Sequence, residues 1–233
     1  MKNPSPLPFL SSRETSDGCR WRLIGLPYDE ASSFRRGSQF GPQEIRRASD
    51  SIESYSPYQN RDLEDFAFFD AGDLELIGNN PEQTITAIRS FYAETYAHGI
   101  SLLGLGGDHT VTAGAVQGLV QSGLRPQVLY LDAHMDVRGE YTGGIYSHAC
   151  VARRLAEQLG SDHLHIWGVR AGERSEFEWA KSEDIFRGRE LSALKKVIRN
   201  LDDDPVYLTI DLDVFDPSEF PGVGNPEPGG LHF

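Results

Sequence analysis

Asp132, His134 and Asp136, in the run L-D-A-H-M-D, stand two residues apart directly after the apolar stretch Val128–Leu131. Asp211 and Asp213 follow Val206–Ile210 in the same manner. In extended chain, residues i, i+2 and i+4 share one side. Each strand end is therefore expected to present its acidic groups on a single face. Two such ends side by side would gather four carboxylates and an imidazole in one small space. Like charges at that density force proton uptake unless a cation neutralises them. Metal, in more than one ion, is the natural counter-charge.

His109 lies in G-L-G-G-D-H-T, between an apolar run and a helical pattern. A phosphate cradle is the first alternative, because glycine-rich strand-to-helix turns bind anions. The details do not match: His109 stands where G-x-G-x-x-G needs glycine, and no G-K-[ST] follows. The remaining choice is between a helix-capping role for Asp108–Thr110 and a ligand role for His109 with the glycines turning it toward a cleft; the nearby acidic clusters favour the ligand. A lone D-x-D is usually a solvated loop, but D-x-H-x-D and a second D-x-D in the same context weigh against chance. The expected ligand set is His109, Asp132, His134, Asp136, Asp211 and Asp213. Mostly carboxylate oxygen with some imidazole and no thiolate, it suits Mn²⁺ better than structural Zn²⁺. Bridging carboxylates can hold two ions about 3.5–4 Å apart. Two divalent ions would balance the four carboxylates, and a hydroxide between them would leave a slightly negative site, suited to a cationic substrate. His148, in G-G-I-Y-S-H-A-C, reads either as an ordinary histidine at a helix start or as a proton carrier to a leaving amine. His163 and His165 fall inside an apolar strand pattern and read as structural, while His98 and His232 carry no pattern.

The elements that must position these groups alternate. Strand patterns fall at 21–26, 66–70, 100–105, 127–131, 163–169 and 205–210, with helical patterns near 41–52, 81–98, 110–122, 147–160, 174–181 and 190–201. Near-continuous apolar strands separated by helices predict an α/β chain: a three-layer α/β/α domain with a mainly parallel, doubly wound sheet. In such sheets ligands bind outside the carboxyl ends of the strands, and all three polar clusters fall there. Residues 1–20 are expected to form an N-terminal arm, and 21–233 a single domain.

The balance of 22 Lys+Arg against 35 Asp+Glu, net −13, argues against nucleic acid or an anionic membrane as partner. Cys19 and Cys150 form no C-x-x-C pair and read as reduced and buried. The N-terminus, with three prolines among its first eight residues, lacks the apolar core of a signal peptide. No apolar run reaches the roughly 18 residues of a membrane span, so a cytoplasmic protein is expected.

Together, G-G-D-H-T, L-D-A-H-M-D, Y-S-H-A-C and T-I-D-L-D-V-F-D-P…P-G-V-G-N-P-E-P-G-G-L resemble the ureohydrolase family of arginase, agmatinase, guanidinobutyrase and formimidoylglutamase. The resemblance runs from about Leu23, where S-S-F-R-R-G-S-Q-F-G-P-Q-E-I-R is similar to the family's early segment. It implies an α/β/α fold and a binuclear manganese centre that hydrolyses a guanidino group to urea and an amine. Carried over by residue, it implies His109 and Asp136 as terminal ligands of one ion, His134 and Asp213 of the other, with Asp132 and Asp211 bridging. It further implies that Asp136 contacts the bridging hydroxide and that His148 is the proton shuttle, making Asp136 and His148 the catalytic pair. Y-S-H-A-C, P-E-P-G-G and the stretch 168–179 resemble agmatinases more than arginases, pointing to agmatine as substrate and putrescine and urea as products.

One departure counts against activity. The sequence stops 20 residues after Asp213, where the resemblance implies a further helix and strand, a glutamate that holds the guanidinium, and segments used in homo-oligomer packing. The C-terminal part of the family domain is therefore expected to be missing, leaving a sheet edge and apolar surface uncovered. The rival expectations are another ureohydrolase activity, on arginine, guanidinobutyrate or formimidoylglutamate, and a catalytically silent fragment that binds metal or assembles with other chains.

Overall fold

In the computed structural model, which describes residues 7–76, 80–201 and 204–232, the strands form two parallel three-stranded sheets and a short hairpin. In the first sheet β1 (Trp21–Leu26) lies between β4 (Phe68–Asp73) and β5 (Ser101–Gly106). In the second, β6 (Gln127–Leu131) lies between β7 (Leu164–Trp167) and β8 (Val206–Ile210). The hairpin strands β2 (Tyr55–Ser56) and β3 (Arg61–Asp62) are antiparallel and two residues each. Such short, exposed strands leave no apolar alternation to read from sequence.

The helices are α1 (Gly41–Ser49), α2 (Pro81–Ala97), α3 (Val111–Gln121), α4 (Val151–Leu159), α5 (Arg174–Ser182) and α6 (Leu191–Asn200). The expected α/β architecture holds, with parallel strands and intervening helices. The segment 147–160 is a correction: His148–Cys150 form a 3-10 turn and the α-helix begins only at Val151. The helix α2 starts with Pro81 in its first turn, after Asn80, whose Oδ1 accepts from the Glu82 and Gln83 amides at 2.8 and 3.3 Å. An Asn cap followed by proline in the first turn is a strong local start signal.

Helix α4 shows how the core forms. Val151, Ala152, Leu155, Ala156 and Leu159 recur at helical spacing and are all buried, in one cluster with Val128 and Tyr130 of β6 and Leu164 and Ile166 of β7. Truncating a residue such as Leu155 to alanine costs about 2–5 kcal/mol. A second cluster joins Ile24 and Leu26 of β1 to Ile88 and Tyr92 of α2 and to Val111 and Ala115 of α3. Tyr207 of β8 packs against both clusters, so β8 and α3 join the two halves.

Alternation along β8 is uneven in its cover. Tyr207 and Thr209 turn inward, while Val206, Leu208 and Ile210 are exposed, as is Leu103 of β5. No residue of α6 is buried. Uncovered apolar sheet surface was expected, and among the described residues it is present.

Residues 7–19 dock on the first sheet. Phe9 N donates to Asp70 Oδ2 at 2.9 Å, Leu10 N donates to Ser49 Oγ at 3.0 Å, and Arg13 bridges to Phe69. The same Asp70 is paired with Arg46, buried to 2% exposure, through Nε–Oδ2 at 2.8 Å and Nη2–Oδ1 at 2.9 Å. Cys19 and Cys150 are free and buried. Among the described residues no helix is long and apolar enough to cross a membrane.

Candidate functional site

The register of β6 on β8 brings the acidic clusters together. Leu131 pairs with Ile210, and Asp211 N donates to Leu131 O at 2.9 Å, so Asp132 and Asp211 leave adjacent strand ends. Neither cluster continues as the alternating strand its spacing suggests. After β8 the chain enters a 3-10 turn, Leu212–Val214, in which the Asp211 side chain accepts from Asp213 N at 3.0 Å. After β6 it continues as a buried loop, and Asp136 takes a left-handed conformation with φ 53°. A non-glycine residue rarely adopts that conformation, and such strain collects at functional sites. The single-face expectation for Asp132–Asp136 is thus corrected: loop geometry, not strand pleat, gathers these groups.

His109 reaches the cluster from the other half of the molecule, at the turn between β5 and α3. Gly107 permits that turn, since a Cβ there would lie 1.9 Å from Tyr28 O. Asp108 does not join the cluster. Its Oδ1 accepts from Thr110 N at 2.9 Å and its Oδ2 from Ala31 N at 3.2 Å, so it organises two loops instead. Burial pushes its carboxyl up to about 6, against the hydrogen bonds from Thr110 and Ala31 that favour the charged form.

The site itself is compact. His109 Nδ1 lies 2.9 Å from Asp132 Oδ2, 3.3 Å from Asp211 Oδ2 and 3.6 Å from Asp136 Oδ2. His134 Nδ1 lies 3.0 Å from Asp213 Oδ2 and 3.5 Å from Asp132 Oδ1. Two groups emerge whose donor atoms all fall within 4.8 Å of one another: His109, Asp132, Asp211 and Asp132, His134, Asp213. Asp132 belongs to both, with one oxygen toward each histidine. Asp136 is in neither group; Tyr130 OH donates to its Oδ2 at 2.8 Å.

The charge balance shows why these side chains fit metal. Burial alone would lower His109, but the Asp132 and Asp211 carboxylates hold it well above its ordinary value. His134 behaves alike: burial is outweighed by Asp132 and Asp213, raising it to about 11. Burial and the Asp132 charge push Asp136 well above the carboxylate range, and burial with Asp132 and Asp211 raises Asp213 to about 8. For Asp132 burial is overcome by the two histidines, which hold it below its usual value. Carboxylates that hold protons near neutrality, and histidines that hold an extra one, are what a buried acidic cluster does without cations. Divalent ions would replace those protons.

The supporting residues escaped sequence reasoning. His109 Nε2 lies 2.9 Å from Thr209 Oγ1, and Thr209 Oγ1 also meets Thr112 Oγ1 at 3.0 Å. Tyr130 stacks on the His109 ring with centroids 4.4 Å apart. Both Tyr130 and Thr209 read as core strand residues; the signal is a polar atom on the inward face two residues before a ligand. Arg170 donates to the carbonyls of Asp213 at 2.6 Å, Phe215 at 3.2 Å and Glu227 at 2.7 Å, fastening the loop that carries Asp213 to the P-E-P-G-G turn. Glu227 Oε1 stands 3.8 Å from His134 Nε2. Gly168, with φ 102°, lies so close that a Cβ would sit 2.9 Å from Asp132 O.

His148 lies across a cavity of about 350 Å³ whose wall includes Ser33, His134, Asp136, Tyr141, Glu173 and Glu227. Its Nδ1 donates to Ala31 O at 2.6 Å, so in the neutral ring Nε2 carries the lone pair, 3.1 Å from Ser33 Oγ. Burial lowers its pKa, against the Ala31 carbonyl, which raises it. Ala31 is therefore held by Asp108 through its amide and by His148 through its carbonyl. His163 and His165 sit elsewhere, bonded to Pro126 O and Gln127 Oε1 at 3.2 and 2.9 Å.

Comparison with known proteins gives a consistent picture. The family model described as "Arginase: Arginase family" matches residues 19–233. An agmatinase of Bacillus subtilis is 38% identical over 225 residues, spanning 96% of this chain and 78% of that protein. An N(1)-aminopropylagmatine ureohydrolase of Thermococcus kodakarensis is 37% identical over 221 residues, 92% of this chain and 74% of its own length. The crystal structure of the agmatine ureohydrolase of Thermoplasma volcanium superposes with a TM-score of 0.84 at 33% identity, covering 96% of this chain and 77% of that one.

Proposed function

Because the chain belongs to the arginase family of hydrolases, which act on amidine C–N bonds at a binuclear metal centre, we propose that it binds two Mn²⁺ ions and hydrolyses the guanidino group of agmatine to urea and putrescine. The observation that carries this reading is the pair of ligand groups sharing Asp132 at the edge of an acidic cavity. His109 and Asp136 are assigned to one ion, His134 and Asp213 to the other, and Asp132 and Asp211 to both. When bound, such ions supply hydroxide at neutral pH and offset the carboxylate charge.

The chain's own groups do the rest. With Nδ1 turned to the carboxylates and used for metal, the remaining His109 proton sits on Nε2, where Thr209 Oγ1 can accept it. Tyr130 holds Asp136 through Oδ2, so its other oxygen orients the nucleophile. His148, neutral at pH 7 because burial lowers its pKa, takes up a proton at Nε2 and passes it to the leaving amine. Glu227 in the cavity wall favours a cationic substrate and its distal ammonium, while Glu173 is paired with Arg138 at 3.2 Å.

The test is metal analysis coupled to a product assay. The chain is loaded with Mn²⁺ and offered agmatine, N(1)-aminopropylagmatine, arginine, guanidinobutyrate and formimidoylglutamate, and urea or formamide is scored. Two ions per chain and urea from agmatine are expected. Greater turnover of N(1)-aminopropylagmatine would move the substrate assignment toward the Thermococcus relative's. Two bound ions with no product from any compound would sink the enzymatic reading and leave a silent metal-binding chain.

A further inference from the structure

His148 is held through both ring nitrogens by one short stretch of chain, Ala31–Ser33, in the loop that follows β1. The Ala31 carbonyl can only accept, so Nδ1 carries the proton of that 2.6 Å bond. In the neutral ring Nε2 is then the bare nitrogen, and the Ser33 hydroxyl, 3.1 Å away, donates to it. Ser33 and His148 both line the cavity that holds His134 and Asp136, so this bond lies on the wall where a leaving amine would form.

The loop is itself anchored. Ala31 N donates to Asp108 Oδ2 at 3.2 Å, and Asp108 stands next to His109 in the chain. Asp29, buried to 1% exposure, accepts from Gly37 N at 2.6 Å through Oδ2 and from Ser32 N at 3.1 Å through its carbonyl. Ser33 thus rests on a braced turn while its hydroxyl meets the cavity. A ring held at Nδ1 alone could still pivot about that bond; the second bond, at Nε2, removes the freedom, and such positioning of a reacting group is worth rate.

Resting on the amidinohydrolase reading above, we propose that Ser33 is the positioning residue of the proton carrier: its hydroxyl fixes His148 Nε2 toward the cavity and changes from donor to acceptor as that nitrogen gains its proton. A serine hydroxyl offers one donor and two lone pairs and rotates to suit its partner. When Nε2 takes up a proton, the Oγ–H turns away and an oxygen lone pair accepts from the new N–H. When the amine leaves, the Nε2–H bond breaks, an amine N–H bond forms, and the Oγ–H turns back to the bare nitrogen. Serine loses no proton, and the ring keeps its aim in both charge states. A backbone carbonyl at Nε2 would not serve, because it has no donor for the neutral ring.

The test compares the Mn²⁺-loaded parent with Ser33→Ala and Ser33→Thr at equal metal content, scoring urea from agmatine. Loss of a hydrogen bond to the proton carrier should lower kcat of Ser33→Ala about tenfold. KM should stay near the parent value, because Ser33 acts on His148 and not on the substrate. Ser33→Thr keeps the hydroxyl and should recover most of kcat. A second readout needs neither metal nor turnover. Diethyl pyrocarbonate acylates a bare imidazole nitrogen, so His148 in metal-free Ser33→Ala should react at least about threefold faster than in the metal-free parent, followed by peptide mass spectrometry. Equal acylation, a Ser33→Ala kcat within about twofold of the parent, or threonine no better than alanine would overturn the role of Ser33. A raised KM with unchanged kcat would overturn it too, making Ser33 a substrate contact. A parent that binds metal yet yields no urea would instead overturn the amidinohydrolase reading and with it the proton-carrier role, even where acylation still shows the Ser33 bond.

Discussion

Replacing Thr209 with valine isolates the role of a residue that is not itself a predicted ligand but touches one, His109. The side chains have nearly the same shape, so no cavity opens, and Thr112 keeps the Tyr207 hydroxyl as a partner. What is lost is the hydroxyl, 2.9 Å from His109 Nε2, that accepts this nitrogen's proton when Nδ1 serves a metal ion. His109 is buried, and a buried donor left unpaired costs about 1–3 kcal/mol. The imidazole can escape that cost by moving the proton to Nδ1, the atom that faces Asp132 and Asp211, or by rotating. Either response opposes metal binding, and the loss of an outer hydrogen bond to a ligating histidine typically lowers affinity about 10–100-fold. Titration of Mn²⁺ into the metal-free protein, followed by the electron paramagnetic resonance of free Mn²⁺, should show a loss in that range for Thr209→Val. Thr209→Ser, which keeps the hydroxyl, should recover most of it. Binding of the valine variant within about threefold of the parent, well below the usual effect of such a bond, or failure of serine to restore affinity, would refute this role for Thr209.

Asp132→Ala should remove loading at both positions, because this carboxylate belongs to both ligand groups; full occupancy in that variant, measured by elemental analysis, would refute the sharing. The metal-free protein should lose thermal stability as pH rises from 6 to 9. His134, raised to about 11, and Asp213, raised to about 8, both bind protons more tightly folded than unfolded; the Asp213 contribution falls from about pH 4 to 8 and the His134 contribution from about 6.5 to 11, so stability declines across this window. The opposite shift of Asp132 acts only at acid pH, below the carboxylate range, and Mn²⁺ affinity should rise over the same window because loading displaces those protons. Arg46→Met should cost about 3–5 kcal/mol by stranding the buried Asp70, seen as a fall in Tm of about 6–20 °C for a chain of this size; an unchanged Tm would refute a structural role for the pair.

Much of the framework was readable before any coordinates. The strand over 21–26 and that over 127–131 occupy the residues their apolar runs indicate, and α2 is marked by its Asn80-Pro81 start. These signals are local: a run of apolar residues or a cap works within a few neighbours. The β2–β3 hairpin and the late start of α4 were not readable, because two-residue strands and a 3-10 turn carry no periodicity. His148 shows the same limit. Its residue type suggested proton transfer, but only the Ala31 carbonyl on Nδ1 assigns the lone pair to Nε2.

The chain by itself determined which side chains could meet a metal ion and that they follow strands, because ligand type and apolar runs are written in consecutive residues. Tertiary structure decided that they meet. The pairing of Leu131 with Ile210, the left-handed Asp136 and the approach of α3 to Thr209 are set by register and by packing between residues up to 100 positions apart. A strand carries its own alternation but not its neighbour's register, and a loop's dihedral angles answer to what surrounds it. The spacing in L-D-A-H-M-D therefore pointed to the right residues through the wrong geometry: three groups expected to align by pleat are gathered by a turn.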